Sequence, residues 1–276
     1  MKRLVKTEFY KLCKADHTLL IALLFLYPVM WSVLAYRNEI VLVENGHSMF
    51  SWILIQLFSM EKSFILTLVF ALLVNTVIGE EQRKMYLPMV QNKGIPIEKF
   101  YLSKVAAAIG YLFLILLAVI TGTAVCYMAF VRSNSIMATG KIWNNTRELV
   151  YSMKILLIWI LDKCVLFPSI FIWLSKKRSM IKALIILILF SFFDRGIAML
   201  SGISFLSIWN VYENAEHFVS LCGNGNLEIH MSIIIQIIIY VSIAFFLIGR
   251  RKLGTKDDIG KVRFPVVFDG RGDKEA

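Results

Sequence analysis

Two charged dipeptides stand inside long apolar runs: Asp162-Lys163 within residues 149–174 and Asp194-Arg195 within 180–200. An ionised side chain in hydrocarbon is costly, and it is retained where it pairs, lines a polar path or relays a proton. Adjacent residues of an α-helix do not face each other, so the spacing predicts partners on another helix: Asp162 with Arg195, or Lys163 with Asp194. Their depths differ by roughly 9 Å at 1.5 Å per residue, a gap that long side chains only partly bridge. Structural pairing, a translocation path and a proton or ion relay all stay open on these residues alone.

Hydrolytic chemistry fits poorly. No H-E-x-x-H and no G-x-S-x-G occurs, and His17, His47, His217 and His230 are scattered outside the apolar runs. Glu80-Glu81 is followed by Met85 where an E-E-x-x-x-R membrane-protease helix would need Arg. A phosphate loop of the form G-x-x-x-x-G-K-[ST] is also missing, since Gly254-Thr255 and Gly260-Lys261-Val262 both depart from it. The expectation is therefore no catalytic residue, no metal and no cofactor bound by this chain. Cys13, Cys126, Cys164 and Cys222 read as packing residues or free thiols.

These charges need helices to hold them. Of 276 residues 58% are hydrophobic and only 18% charged, with a mean hydropathy of +0.69, whereas soluble domains are about 25% charged. An aromatic content of 13% excludes a disordered chain, and four cysteines are too few for a disulfide scaffold. Six runs are long enough for the ~30 Å hydrocarbon core: about 18–36, 60–78, 105–131, 149–174, 180–200 and 231–249. The charged start and the length of the first run argue against a cleaved signal peptide.

Most of the 30 Lys and Arg fall in residues 1–17, 79–104, the turn after the fourth run and the basic tail 250–276. The opposite side holds only Arg37, Arg132, Lys141, Arg147 and Lys154. Cytoplasmic loops retain Lys and Arg, so both termini are expected in the cytoplasm. Topology thus accounts for the net charge of +11, and no nucleic-acid partner is expected. The fold class is an all-α membrane protein with six transmembrane helices.

Other segments have smaller roles. Residues 1–17 form a basic amphipathic helix with Leu4, Val5, Phe9, Leu12 and Cys13 on one stripe, suited to the inner interface against anionic lipid. Residues 50–59 are apolar but too short to cross, which suggests an outer interfacial helix leading into the second run. Glu61-Lys62 then belongs at the outer interface, where long side chains snorkel. Pro28 and Pro168 bend their helices and free carbonyls, which suggests a kinked, hydrated fourth span. Trp31, Trp143 and Trp173 read as interfacial belt residues. The outer loop 201–230 carries Glu213, Glu216 and Glu228 without a basic residue, and its stretches 203–206 and 208–211 are apolar enough to dip into the membrane.

The loop 79–104 reads GEEQRKMYLPMVQNKGIPIEKFYLSK. Residues 80–90 have helix-forming composition with an apolar side at Met85, Leu87, Met89 and Val90, limited by Pro88. Asn92-Lys93-Gly94 breaks it and Pro96 with Glu98 restarts a helix. A short amphipathic helix beneath two spans suits a soluble partner's groove; a plain connecting loop is the alternative.

Taken together, the basic elbow helix with Glu8-Phe9, the second run ending in Glu, the break at Gly94 and Pro96, Lys104 before the third run and the long segment 201–230 resemble ABC-2-type transporter permeases. The resemblance covers residues 1–250 and is greatest to the lantibiotic-immunity and bacitracin-resistance permeases of Gram-positive bacteria. It implies that Glu80, Glu81, Arg83, Lys84, Met85 and Leu87 form the ATPase-coupling surface. It also implies cytoplasmic ABC ATPase subunits that hold ATP and Mg, a second copy or a related permease, membrane lipids as surroundings and residence in the cell membrane. The implied activity is export of an amphipathic or antimicrobial peptide. A drug, ion or lipid as substrate, and a non-transport scaffold or sensor accessory, are the alternatives.

Overall fold

The computed structural model describes residues 2–39, 45–83, 96–177, 180–200, 207–213, 215, 217, 234–239 and 242. Among them the chain is all-helical: α1 (Lys2–Lys14), α2 (Thr18–Tyr36), α3 (Met49–Lys62), α4 (Ile65–Arg83), α5 (Ile97–Ala129), α6 (Thr146–Trp159), a π-helical segment (Ile160–Leu166), α7 (Phe167–Lys177), α8 (Met180–Ala198) and α9 (Ile208–Glu213). A single isolated β-bridge, His47 to Ala138, joins two of the connecting segments among these residues.

Three stretches are long and apolar enough to cross a membrane, Thr18–Tyr36, Leu102–Ser133 and Thr146–Ile172, or four if the bent pair α3 and α4 counts as one. α8 has 19 residues, enough for ~30 Å, but carries Lys182, Asp194 and Arg195. The sixth expected run lies outside the described residues, apart from a helical piece at 234–239 and residue 242. The outer faces of α2 and α8 leave Leu19, Leu26, Leu189 and Phe193 exposed, as lipid-facing helices do.

The segment expected as a surface helix is the most deeply buried one. In α3, Trp52, Ile53, Leu54, Leu57, Phe58 and Met60 are all at 1% exposure or below. The reason is compositional: apolar residues fall on every face of α3 between Met49 and Met60, with Ser51 and Gln56 buried among them, and such a helix is enclosed rather than laid on an interface. Ser48 starts it, its hydroxyl accepting from the Ser51 N–H at 3.3 Å. The helix ends at Ser63, whose hydroxyl donates to the carbonyls of Ser59 and Met60. Phe64 then takes a left-handed φ of 59°, and the chain turns by 72° into α4. That conformation costs a side chain about 1–2 kcal/mol, so the neighbours must hold it.

The helix α6 continues through the π-helical segment into α7 without a break in the chain's path. Pro168 explains the irregularity. It has no N–H to offer the carbonyl of residue 164, and its ring crowds that carbonyl. The preceding turn widens instead, with the Phe167 N–H bonding Asp162 O five residues back. Ser169 Oγ satisfies the Val165 carbonyl at 2.6 Å.

α5 is the mast of the bundle, 33 residues long and so about 50 Å. At its foot α1 lies against it, Phe9 meeting Tyr111 edge-on with ring centroids 6.3 Å apart. Higher up, α2 crosses at Gly122, where an added Cβ would stand 2.5 Å from the Phe25 ring. Packing of this kind, rather than water exclusion, holds helices together in lipid.

Candidate functional site

The end of α3, the start of α4, the π-helical segment, the C-terminal half of α8 and the short helix α9 border a cavity of about 70 Å³, lined by Glu61, Thr67, Asp162, Lys163, Asp194 and Tyr212 among others. Lys163 Nζ is its centre. It lies 2.7 Å from Glu61 Oε1, 3.1 Å from Asp162 Oδ2 and 3.4 Å from Thr67 Oγ1. Thr67 Oγ1 donates to Glu61 Oε1 at 3.1 Å, and Tyr212 donates its hydroxyl to Asp162 Oδ2 at 2.9 Å. The Tyr212 ring stacks flat on Trp159 at 4.1 Å, which fixes the hydroxyl's position.

The two cross-helix pairings expected from sequence do not form. Lys163 pairs with Glu61 and with its own neighbour Asp162, because the wider π turn narrows the angle between successive side chains. Asp194 instead caps α9, accepting from the N–H groups of Ile208 at 3.3 Å and Trp209 at 2.9 Å. Arg195 reaches the α3 terminus. Its Nη2 donates to Glu61 O at 3.3 Å and Lys62 O at 3.4 Å, while the guanidinium lies 3.8 Å over Trp209 and 4.4 Å over Phe64. Arg195 thereby binds the strained Phe64 turn from outside through carbonyl bonds and ring stacking, for which its planar, forked guanidinium is better shaped than an ammonium.

Glu61 is the residue the sequence misplaces. It is not a snorkelling interfacial group but 3% exposed; only Lys62 beside it is exposed, over the Phe58 ring. The available signal was that Glu61 ends a stretch with apolar residues on every face, so its depth follows that of α3. Thr67 and Tyr212 carried no chemical signature at all. Asp162, Lys163, Asp194 and Arg195, singled out from sequence, are brought around one region of the bundle. Breaking a buried ion pair from one side costs about 3–5 kcal/mol, which sets the scale of the constraint here.

The proposed coupling residues lie elsewhere. Glu80, Glu81 and Arg83 belong to the last turn of α4 as backbone; Lys84, Met85 and Leu87 fall outside the described residues. At the same end, Glu8 of α1 is 4% and Lys104 of α5 2% exposed, their charged atoms 3.6 Å apart, and Lys11 also reaches Glu8 at 2.8 Å. α1 is therefore clamped to α5 by charge as well as by its apolar stripe. His17, between α1 and α2, is 4% exposed and lies 5.8 Å from the Tyr111 ring. Burial pulls its imidazole below the ordinary value of 6.5, with Asp16 opposing.

At the other end, Glu148 of α6 accepts from Ser48 Oγ and from the Asn144 N–H at 2.5 Å, and Tyr127 donates to His47 O at 2.9 Å. These bonds tie the start of α3 to the segment before α6. Cys13, Cys126 and Cys164 are free thiols, and no group of His, Cys, Asp and Glu among the described residues is arranged to hold a metal. Comparison with protein-family models, with curated proteins and with solved structures finds no match.

Proposed function

We propose that the chain is the six-span permease subunit of an ATP-driven exporter, with both termini in the cytoplasm and hydrolysis supplied by separate ABC ATPase subunits that hold ATP and Mg. The expelled molecule is an amphipathic substrate such as an antimicrobial peptide, and a second copy or a related permease completes the pathway. One observation carries the reading. A charged cavity sits between a broken helix (α3 and α4) and a π-helical segment, inside a bundle with helices of membrane-crossing length. Buried charge and interrupted helices are costly in lipid and mark elements that work by changing conformation. At 70 Å³ the cavity is far below the roughly 300–1,000 Å³ of a ligand pocket. On this reading it belongs to the moving machinery, and a peptide would pass along a surface opened by its rearrangement.

The link to an ATPase rests on the resemblance and on α4, which runs on as helix through Glu80 and Glu81 to Arg83 and so carries the span's end directly into the coupling segment. A gentle detergent pull-down of the full chain from its native membrane, with an ATPase assay, is the test. A stoichiometric partner with a phosphate loop is the expected result. A folded chain that brings down no nucleotide-binding protein would remove the exporter reading. Met85→Asp with Leu87→Asp should then release that partner while the permease stays monodisperse; retention of the ATPase by the double variant would place docking elsewhere.

The complete pairing of Lys163 favours one other reading, a static scaffold or sensor accessory whose charges serve only to join helices. ATPase stimulation on reconstitution separates the two.

A further inference from the structure

The 70 Å³ cavity has a charged end and an apolar end. Glu61, Asp162, Lys163 and Asp194 line the first, three carboxylates with one ammonium, and Arg195 adjoins them through its bond to Glu61 O. Most of that charge is already engaged. Lys163 donates to Glu61 Oε1 and lies 3.1 Å from Asp162 Oδ2, Asp194 accepts from two N–H groups, and Arg195 donates to two carbonyls. Among the buried acceptors Glu61 Oε2 is the exception: the residue is 3% exposed, and this oxygen has no hydrogen-bond partner. A buried acceptor on a charged group is rarely left so, because its desolvation is then uncompensated.

The apolar end is a cleft between two helices. Phe167 and Ile170 of α7 and Leu187 and Phe190 of α8 line it. Leu187 is buried but Phe190 is 59% exposed, so among the described residues the cavity ends at the surface between α7 and α8. Leu189 and Phe193, both exposed, flank that edge on the face of α8 described above as lipid-facing. At 70 Å³ the space is several times the roughly 10–15 Å³ that one water needs. It takes a head group of a few atoms, and a chain attached to that head would continue along the cleft.

The unmet oxygen calls for a donor, and three carboxylates against two cations favour a positive one. A metal ion fits poorly. No group of His, Cys, Asp and Glu among the described residues is arranged to hold one, and hard cations take about six or more oxygens. A primary ammonium needs three acceptors at most, and aromatic walls suit both its charge and the methylenes behind it. We propose that the cavity is a binding site for the head of a primary-ammonium amphipath. The ammonium donates to Glu61 Oε2, its first methylenes lie against Phe167 and Phe190, and its chain leaves the bundle between α7 and α8. The site stands on this geometry; that its occupant is the exported molecule, entering from lipid and not from water, rests on the transport reading.

The test is electron spin resonance of the full chain in phosphatidylcholine nanodiscs, titrated with a long-chain primary amine spin-labelled on its chain. A saturable immobilised component is expected, displaced by dodecylammonium but not by dodecyltrimethylammonium, which has no N–H to donate, nor by dodecyl sulfate. In Glu61→Gln the affinity should fall about tenfold, the loss of one charge-assisted hydrogen bond. No saturable component, equal displacement by the trimethyl compound, or unchanged affinity in Glu61→Gln overturns the proposal. Should Glu61→Gln not fold, Phe190→Lys at the exposed edge decides the matter: a further cation there must weaken the amine, and unaltered binding overturns the site. Phosphatidylethanolamine and an acylated lysine peptide, added as competitors, distinguish a lipid head from a peptide side chain as the source of the ammonium. The chain is assayed alone, so loss of the ATPase partner in the pull-down would neither create nor abolish the immobilised component.

Discussion

Lys163 holds two acids at once, 2.7 Å from Glu61 and 3.1 Å from Asp162. Removing it strands both carboxylates in a buried setting, so Lys163→Met is expected to destabilise the folded bundle by about 3–5 kcal/mol. Lys163→Met combined with Glu61→Gln should recover most of that loss, since the double change leaves fewer uncompensated charges. Reversible unfolding in mixed micelles measures the cycle, and strict additivity of the two changes would show that the pair is uncoupled. At this scale the sequence was half legible. Asp162, Lys163, Asp194 and Arg195 stand out because charge is rare in such apolar runs. Their partners do not, because Glu61 looks interfacial when the second span is started at residue 60, and backbone carbonyls have no signature in sequence.

The helices themselves were readable and their interruptions were not. α1, α2, α5 and the long path from α6 to α7 follow from apolar runs and a basic amphipathic start. The bend at Ser63 and Phe64 contains neither Gly nor Pro, so nothing local announces it; Arg195 from another helix stabilises the strained turn. Pro168 announces a disturbance, but a widened turn and a kink look alike in sequence. The crossing of α2 and α5 gives a sharper prediction. Gly122→Ala should cost about 1–3 kcal/mol through overpacking against Phe25, and Phe25→Leu should restore stability. Unfolding midpoints of the two single variants and the double variant test this; an unaltered Gly122→Ala would mean the helices already part without cost.

For the molecule as a whole, both ends of the bundle are tied by buried polar contacts: Glu8 with Lys104 at one, Glu148 with Ser48 at the other. The clamp of α1 should respond to pH through His17. Because burial holds that imidazole below 6.5, the folded state binds fewer protons than the unfolded one. Its contribution is then complete above about pH 6.5 and is lost as pH falls through the ordinary value towards the lowered one. A spin label on Cys13, which is exposed, should gain mobility as pH drops from about 7.5 to 5. A flat response would mean that His17 titrates without loosening α1. At this scale the all-helical character and the helices of membrane-crossing length were legible, since apolar length is a coarse signal summed over many residues.

The seating of α3 also sets an order of assembly. Its anchors come late, with Glu61 waiting for Lys163 across 102 positions and Ser48 for Glu148 across 100. At roughly 5–20 residues per second of synthesis, that is about 5–20 s with no partner in place. A ribosome-bound intermediate ending near residue 150 therefore presents an apolar helix terminated by an unmatched acid. That segment must be sheltered until the helix Thr146–Ile172 arrives, so biogenesis rather than final stability is where truncated chains would fail first.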